Sequence, residues 1–143
     1  MICKIPLKAI DIPGGGMHLA CGFSTPEFSG HVIIDTGASV SVFDESMLKA
    51  RIKDQQEPDI SESISSGINA MIEGQTTGKL SGVLLECLPL KDQPAGFMDM
   101  THLRDLYREY FNINVCGLIG SDLLNNYHAE IHYKSRLLVL YKW

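Results

Sequence analysis

The sequence predicts a single, mostly β domain spanning residues 1–143, with one amphipathic helix and a short C-terminal one. Three observations carry that reading. Short apolar runs rich in β-branched residues recur, as at Val32-Ile33-Ile34, and such runs suit strands. Turn-forming clusters such as Pro13-Gly14-Gly15-Gly16 separate them. A sustained helical period is evident at Thr101–Phe111, and 143 residues suit one domain with one core.

Residues 4–12 alternate loosely, turn at Pro13 to Gly16, and return over 17–23, which reads as a hairpin. A second connection, residues 24–30, leads into the run Val32-Ile33-Ile34. Residues 42–52 place Phe43, Met47, Leu48 and Ile52 among charges, which reads as a short helical turn or a strand-to-loop transition. Residues 53–63 are polar, contain Pro58 and predict an exposed loop. Glycines 67, 74, 78 and 82 punctuate residues 65–88, which predict a long hairpin followed by a buried strand. Residues 91–95 predict a turn-rich connection.

In Thr101–Phe111, Leu103, Leu106, Tyr107, Tyr110 and Phe111 recur at helical spacing, with Arg104, Asp105, Arg108 and Glu109 elsewhere on the wheel. This helix either covers exposed sheet or supports a partner contact. Val115–Ile119 is a further buried strand, and Ser121 or Asp122 is placed to cap a helix running through Tyr127. Residues 128–133 and Leu137–Tyr141 alternate around Lys134-Ser135-Arg136 and close the chain as a hairpin.

The formal net charge of −5 leaves no basic stripe, so nucleic acid is not an expected partner. No apolar run reaches the length of a membrane span, and no membrane partner is expected. Residues 1–6 lack the apolar core of a secretion signal. Cys3, Cys21, Cys87 and Cys116 permit two disulfides but form no C-x-x-C pair; reduced thiols in the cytoplasm are the expectation.

The chemistry concentrates at His31-Val32-Ile33-Ile34-Asp35-Thr36-Gly37-Ala38-Ser39. An acid directly after a buried strand needs partners to hold it, and the small hydroxyl-bearing and glycine residues beside it suit a tight, hydrogen-bonded turn. Asp35-Thr36-Gly37-Ala38-Ser39 resembles the active-site motif of aspartic peptidases. Downstream, Gly117-Leu118-Ile119-Gly120-Ser121-Asp122-Leu123-Leu124 resembles the second signature of the same family. The order of the two blocks and the length of the chain resemble the single-lobed, retroviral (retropepsin-like) type, over residues 5–141.

The resemblance implies a closed acid-protease barrel with a flap hairpin, to which Thr101–Phe111 is an insertion. It places the flap tip near residues 69–75, so that Asn69, Ala70, Met71 and Ile72 would contact substrate. Such a lid excludes water and positions the scissile amide. Peptide hydrolysis without a metal needs a base for water and an acid for the carbonyl, and two adjacent carboxylates sharing a proton supply both. The chain holds one D-T-G and no D-S-G. A homodimer, each copy giving one Asp35, is therefore implied, with no metal or organic cofactor and a peptide or protein as substrate. By resemblance, Thr36 would bond across the dimer, Gly37 would support the carboxylates and meet substrate, and Ser39 would contact the substrate backbone.

Rival chemistries lack parts. His128, Glu130 and His132 would share one strand face and could reach a metal, although such a row is ordinarily a wet face. Cys87 and Cys116 sit in apolar runs without an identifiable base. Ser39 and Ser41 lack a G-x-S-x-G setting. The alternative from another class is a dimer of the same fold that binds peptide, or acts as a scaffold, without turnover.

Overall fold

The computed structural model describes residues 1–57 and 75–142. Two sheets and three helices build the described chain. Strands β1 (Ile2–Pro6), β2 (Lys8–Asp11), β3 (Met17–Ser24), β4 (Ser29–Ile34) and β5 (Val42–Asp44) lead to helix α1 (Glu45–Leu48) and a 3-10 turn, Lys49–Arg51. Next come β6 (Ile52–Gln56), β7 (Thr76–Leu80), β8 (Val83–Leu85), β9 (Leu88–Leu90) and β10 (Gln93–Met98). Helix α2 (Thr101–Phe111), β11 (Val115–Ile119), α3 (Ser121–Asn126), β12 (Glu130–His132) and β13 (Leu137–Tyr141) complete the order.

The larger sheet runs β6-β7-β10-β5-β11-β4-β3-β8-β9, with β2 paired to β3. Among the described residues no ladder joins its two ends, so the sheet is a curled half-barrel where a closed barrel is expected. The smaller sheet, β1-β13-β12, pairs the two ends of the chain within one molecule, Ile2 opposite Tyr141 and Cys3 opposite Leu140.

β3, β4 and β11 are covered on both faces, which is why their sequences read as nearly continuous apolar runs. One face of each enters the main core: Cys21, Val32 and Cys116 pack there with Phe23, Phe43, Phe97, Leu123 and Leu138. The opposite face carries Ala20, Ile33 and Val115, which pack with Ile10, Ile113 and Tyr107 of α2. The expected helix is thus present over Thr101–Phe111, and it serves as the second cover of the sheet.

A buried ion pair seats that helix. Asp44, fully buried at the end of β5, meets Arg104 and accepts the Met100 N–H at 3.0 Å. The helix closes on Asn112, which adopts the left-handed conformation (φ 54°) that asparagine tolerates better than most residues.

Several expectations are corrected. Residues 4–12 form two strands, because β1 leaves to pair with β13 while β2 pairs with β3. Lys53 to Gln56, read as loop, belong to β6, a polar strand at the edge of the sheet where one side faces water. Gln93, Pro94 and Ala95, read as a connection, begin β10; Pro94 is tolerated near a strand start. Of the hairpin expected over residues 65–88, the described part holds β7, which pairs antiparallel with β6 and β10, and the buried strand β8. The flap residues Asn69, Ala70, Met71 and Ile72 lie outside the described residues. Neither Ser121 nor Asp122 caps α3: the N-cap is Gly120 and no side chain bonds there. His128 precedes β12 with a left-handed φ of 50°, so it does not share a strand face with Glu130 and His132.

Cys3 and Cys87 are disulfide-bonded, correcting the expectation of reduced thiols throughout. The bond ties β1 to the turn between β8 and β9, and so the small sheet to the large one. Cys21 and Cys116 are free and buried, and desolvation pushes their thiols up to about 12 and about 11. No described helix is long and apolar enough to cross a membrane.

Candidate active site

The site is built by a strand crossing. β11 lies between β4 and β5, parallel to the first and antiparallel to the second. The segment joining β4 to β5, residues 35–41, must therefore arch over the end of β11. The arch is pinned at its start, where the Asp35 N–H donates to the Ile119 carbonyl at 2.8 Å, and again where the Ser121 N–H donates to the Ala38 carbonyl at 2.7 Å.

Two glycines permit the crossing. A Cβ on Gly117 would lie 2.6 Å from the Val42 carbonyl oxygen and 2.8 Å from the Phe43 ring. One on Gly120 would lie 2.7 Å from the Ala38 carbonyl oxygen. Side chains essentially never approach backbone that closely, so the G-L-I-G spacing is a steric requirement of the arch.

A buried polar clasp holds the other foot. Asp122 accepts the Ser41 N–H at 3.0 Å and the Ser41 hydroxyl at 2.7 Å, while the same hydroxyl accepts the Gly120 N–H at 2.9 Å. Ser41 is fully buried, and among the described residues neither its hydroxyl nor the Asp122 carboxylate is left as a buried atom without a partner. Sequence reading took Asp122 as a helix cap and missed the clasp. Its partners lie 81 positions apart, and the available signal was a serine inside the apolar run Val40, Val42, Phe43.

Within the arch, Asp35 is half-buried, and its Oδ1 accepts the Gly37 N–H at 3.1 Å. Thr36, Gly37 and Ser39 are exposed. The five residues of the sequence motif thus form one tight turn whose acid is held by its own backbone while its hydroxyls face outward. Thr36 also lines a depression of about 270 Å³ with Ser121, Leu124, Asn125, His128, Ala129 and Ile131.

A second pair of residues flanks the arch and was not singled out from sequence. In the β3–β4 ladder Ala20 stands opposite Ile33 and Cys21 opposite Val32. Two residues past that pair on each side, beyond the last rung of the ladder, stand His18 and Asp35. His18 Nδ1 bonds the Tyr107 hydroxyl of α2 at 2.6 Å, with the rings 6.2 Å apart. Tyr107 is buried, and its phenol is pushed up by desolvation and then by the charge of Asp35.

The fold has a solved counterpart. The chain superposes on the crystal structure of a retropepsin-like aspartic protease from Rickettsia conorii with a TM-score of 0.52, covering 98% of this chain and 91% of that one. The fold is retropepsin-like. Sequence identity across the superposition is 14%, a level at which fold is shared but residue roles do not carry over. No protein-family model and no curated protein matches the sequence. On the retropepsin-like fold of this chain, α2 occupies the outer side of β4 and β11, beside the arch. Among the described residues no three His, Cys, Asp or Glu side chains converge as metal ligands would, and Glu130 instead receives the Tyr141 hydroxyl at 3.1 Å.

Proposed function

We propose that the chain is one half of an aspartic endopeptidase, hydrolysing peptide bonds between two Asp35 carboxylates contributed by the two copies of a homodimer. The observation that carries this reading is Asp35 itself. It is a half-buried acid on the turn of the arch in a retropepsin-like fold, held by the Gly37 N–H, with Thr36 and Gly37 exposed beside it. One carboxylate cannot act as base and acid in the same cycle, whereas two at close range share a proton and divide the roles. The ionised member draws a proton from water as it attacks the scissile carbonyl. The protonated member stabilises the oxygen and then protonates the leaving nitrogen.

The supporting features follow from the arch. Thr36 and Gly37 stand at the face where a second copy would meet the first, and the adjoining depression beside α3 offers that copy a seat. Ser39 is assigned to the substrate backbone, and Asn69, Ala70, Met71 and Ile72 to a flap between β6 and β7. Because β1 and β13 pair within one chain, the dimer in this proposal forms without exchange of terminal strands.

Sedimentation across a range of concentrations, with and without the peptidase inhibitor pepstatin, tests the reading. A dimer tightened by pepstatin, and cleavage abolished by Asp35→Asn, are the expected results. A monomer at every concentration that ignores pepstatin overturns it. A wild-type dimer that binds peptide as its Asp35→Asn variant does, with cleavage by neither, assigns a peptide-binding module instead.

A further inference from the structure

The His18–Tyr107 pair has no part in the carboxylate chemistry, yet it stands on the same side of the sheet. His18 lies on β3 two residues beyond Ala20, whose ladder partner Ile33 stands two residues before Asp35. Paired strands lie about 4.8 Å apart, and the charge of Asp35 reaches the Tyr107 hydroxyl that His18 bonds, which puts the pair beside the arch. His18 is exposed, whereas Tyr107 is buried between α2 and the sheet, packed against Phe111 with ring centres 5.6 Å apart. The bond between them, 2.6 Å long, spans 89 positions of sequence.

The chemistry of that bond decides which ring nitrogen carries the proton. The phenol can donate or accept, but Tyr107 is buried and among the described residues its hydroxyl meets no other acceptor, so donation to Nδ1 of a neutral His18 is the arrangement that leaves no buried O–H unpaired. The proton of the ring is then on Nε2, which leaves a fixed N–H donor at the exposed edge of the imidazole. Tyr107 cannot readily turn away, because its ring is buried and its helix is anchored by the buried pair of Arg104 with Asp44.

Resting on the peptidase reading above, we infer that His18 is a substrate-contacting residue, its Nε2–H donating to a backbone carbonyl of a peptide laid across Asp35, and that Tyr107 is the positioning residue that holds it in that tautomer. An extended peptide presents carbonyl acceptors along both edges and would pass beside His18 as it crosses the arch. The role accounts for the burial of a tyrosine hydroxyl under a surface histidine, where a phenylalanine would serve packing alone. It also gives α2 a function beyond covering the sheet: the helix sets a hydrogen-bond donor at the rim of the cleft.

The experiment has two readouts on the full chain. Nitrogen-15 spectra of the imidazoles at about pH 8, where an ordinary histidine is neutral, report the tautomer. The Nε2–H form is expected for His18 in the wild type, and a tautomer mixture in Tyr107→Phe. Pepstatin binding is then measured for His18→Leu, His18→Gln and Asp35→Asn. Glutamine carries an N–H donor near the place of Nε2, so His18→Gln should bind within about twofold of wild type. His18→Leu should weaken binding about five- to tenfold, the loss of one hydrogen bond. An Nδ1–H tautomer in the wild type, wild-type affinity in His18→Leu, or failure of His18→Gln to restore binding overturns the inference while leaving the peptidase reading intact. A wild type that does not bind pepstatin overturns both, a pattern distinct from the other three. His18 is exposed, so these variants are expected to keep the amide spectrum of the folded protein.

Discussion

Replacing Cys87 with serine opens a covalent loop that the fold otherwise carries through unfolding. Cys3 and Cys87 stand 84 positions apart, and the bond joins the small sheet, through β1, to the β8–β9 corner of the large one. On the chain-entropy account, closing a loop of that length restricts the unfolded chain enough to stabilise the fold by about 4.6 kcal/mol. For a domain of this size, an unfolding entropy of about 2 cal/mol/K per residue converts that loss to a fall in Tm of about 15 °C. Serine is nearly isosteric and Cys87 is exposed, so little packing is lost beside the entropy. The assay is scanning calorimetry of the oxidised wild type, the same protein after reduction, and Cys87→Ser. Reduced wild type and variant should coincide, both well below the oxidised form. Thiol counting completes it: denatured, unreduced wild type should alkylate at Cys21 and Cys116, and reduced protein at Cys3 and Cys87 as well. A variant melting within about 3 °C of oxidised wild type refutes the entropic argument. Alkylation of all four cysteines without reductant refutes the bond itself.

Other perturbations test the scaffold of the site. Asp44→Ala strands the Arg104 guanidinium in a buried place and frees the start of α2; a loss of about 3–5 kcal/mol by urea unfolding is expected, and a loss below about 1 kcal/mol would show that the pair is solvated. Gly117→Ala drives a methyl into the Val42 carbonyl and the Phe43 ring, so the folded protein should be lost or severely destabilised; near wild-type stability would contradict the crossing. Burial, and then the charge of Lys8, lower the His31 imidazole below its ordinary 6.5, partly offset by Glu86. The unfolded chain therefore takes up that proton first, and stability should fall as pH drops from 6.5 through the lowered value. His31→Gln should flatten the slope in that window, and an unchanged slope in pH-dependent melts would assign it to other groups.

Local pattern carried a large part of this protein. Helix α2 is legible because its period places Leu103, Tyr107 and Phe111 on one side, and the helix needs no knowledge of its partner to show that side. The run Val32-Ile33-Ile34 reads as a strand on equally local grounds, and the structure adds that it is covered on both faces. Where meaning depended on a distant partner, the pattern misled. Asp122 next to a helix start looks like a cap until Ser41, 81 positions away, claims its carboxylate. The polar strand β6 looks like a loop, since an edge strand needs no apolar face to pair with β7. Four scattered cysteines carry no pairing information, and only folding β1 against the β8–β9 corner brought Cys3 to Cys87. His18 was one polar residue in an alternating strand, and Tyr107 one apolar position on a helix. The sequence by itself determined the elements and the acid-bearing turn, because these rest on contacts between residues close in the chain. The tertiary structure decided the clasp, the disulfide and the bond between His18 and Tyr107, because each joins side chains that only the folded arrangement of strands and helix brings together.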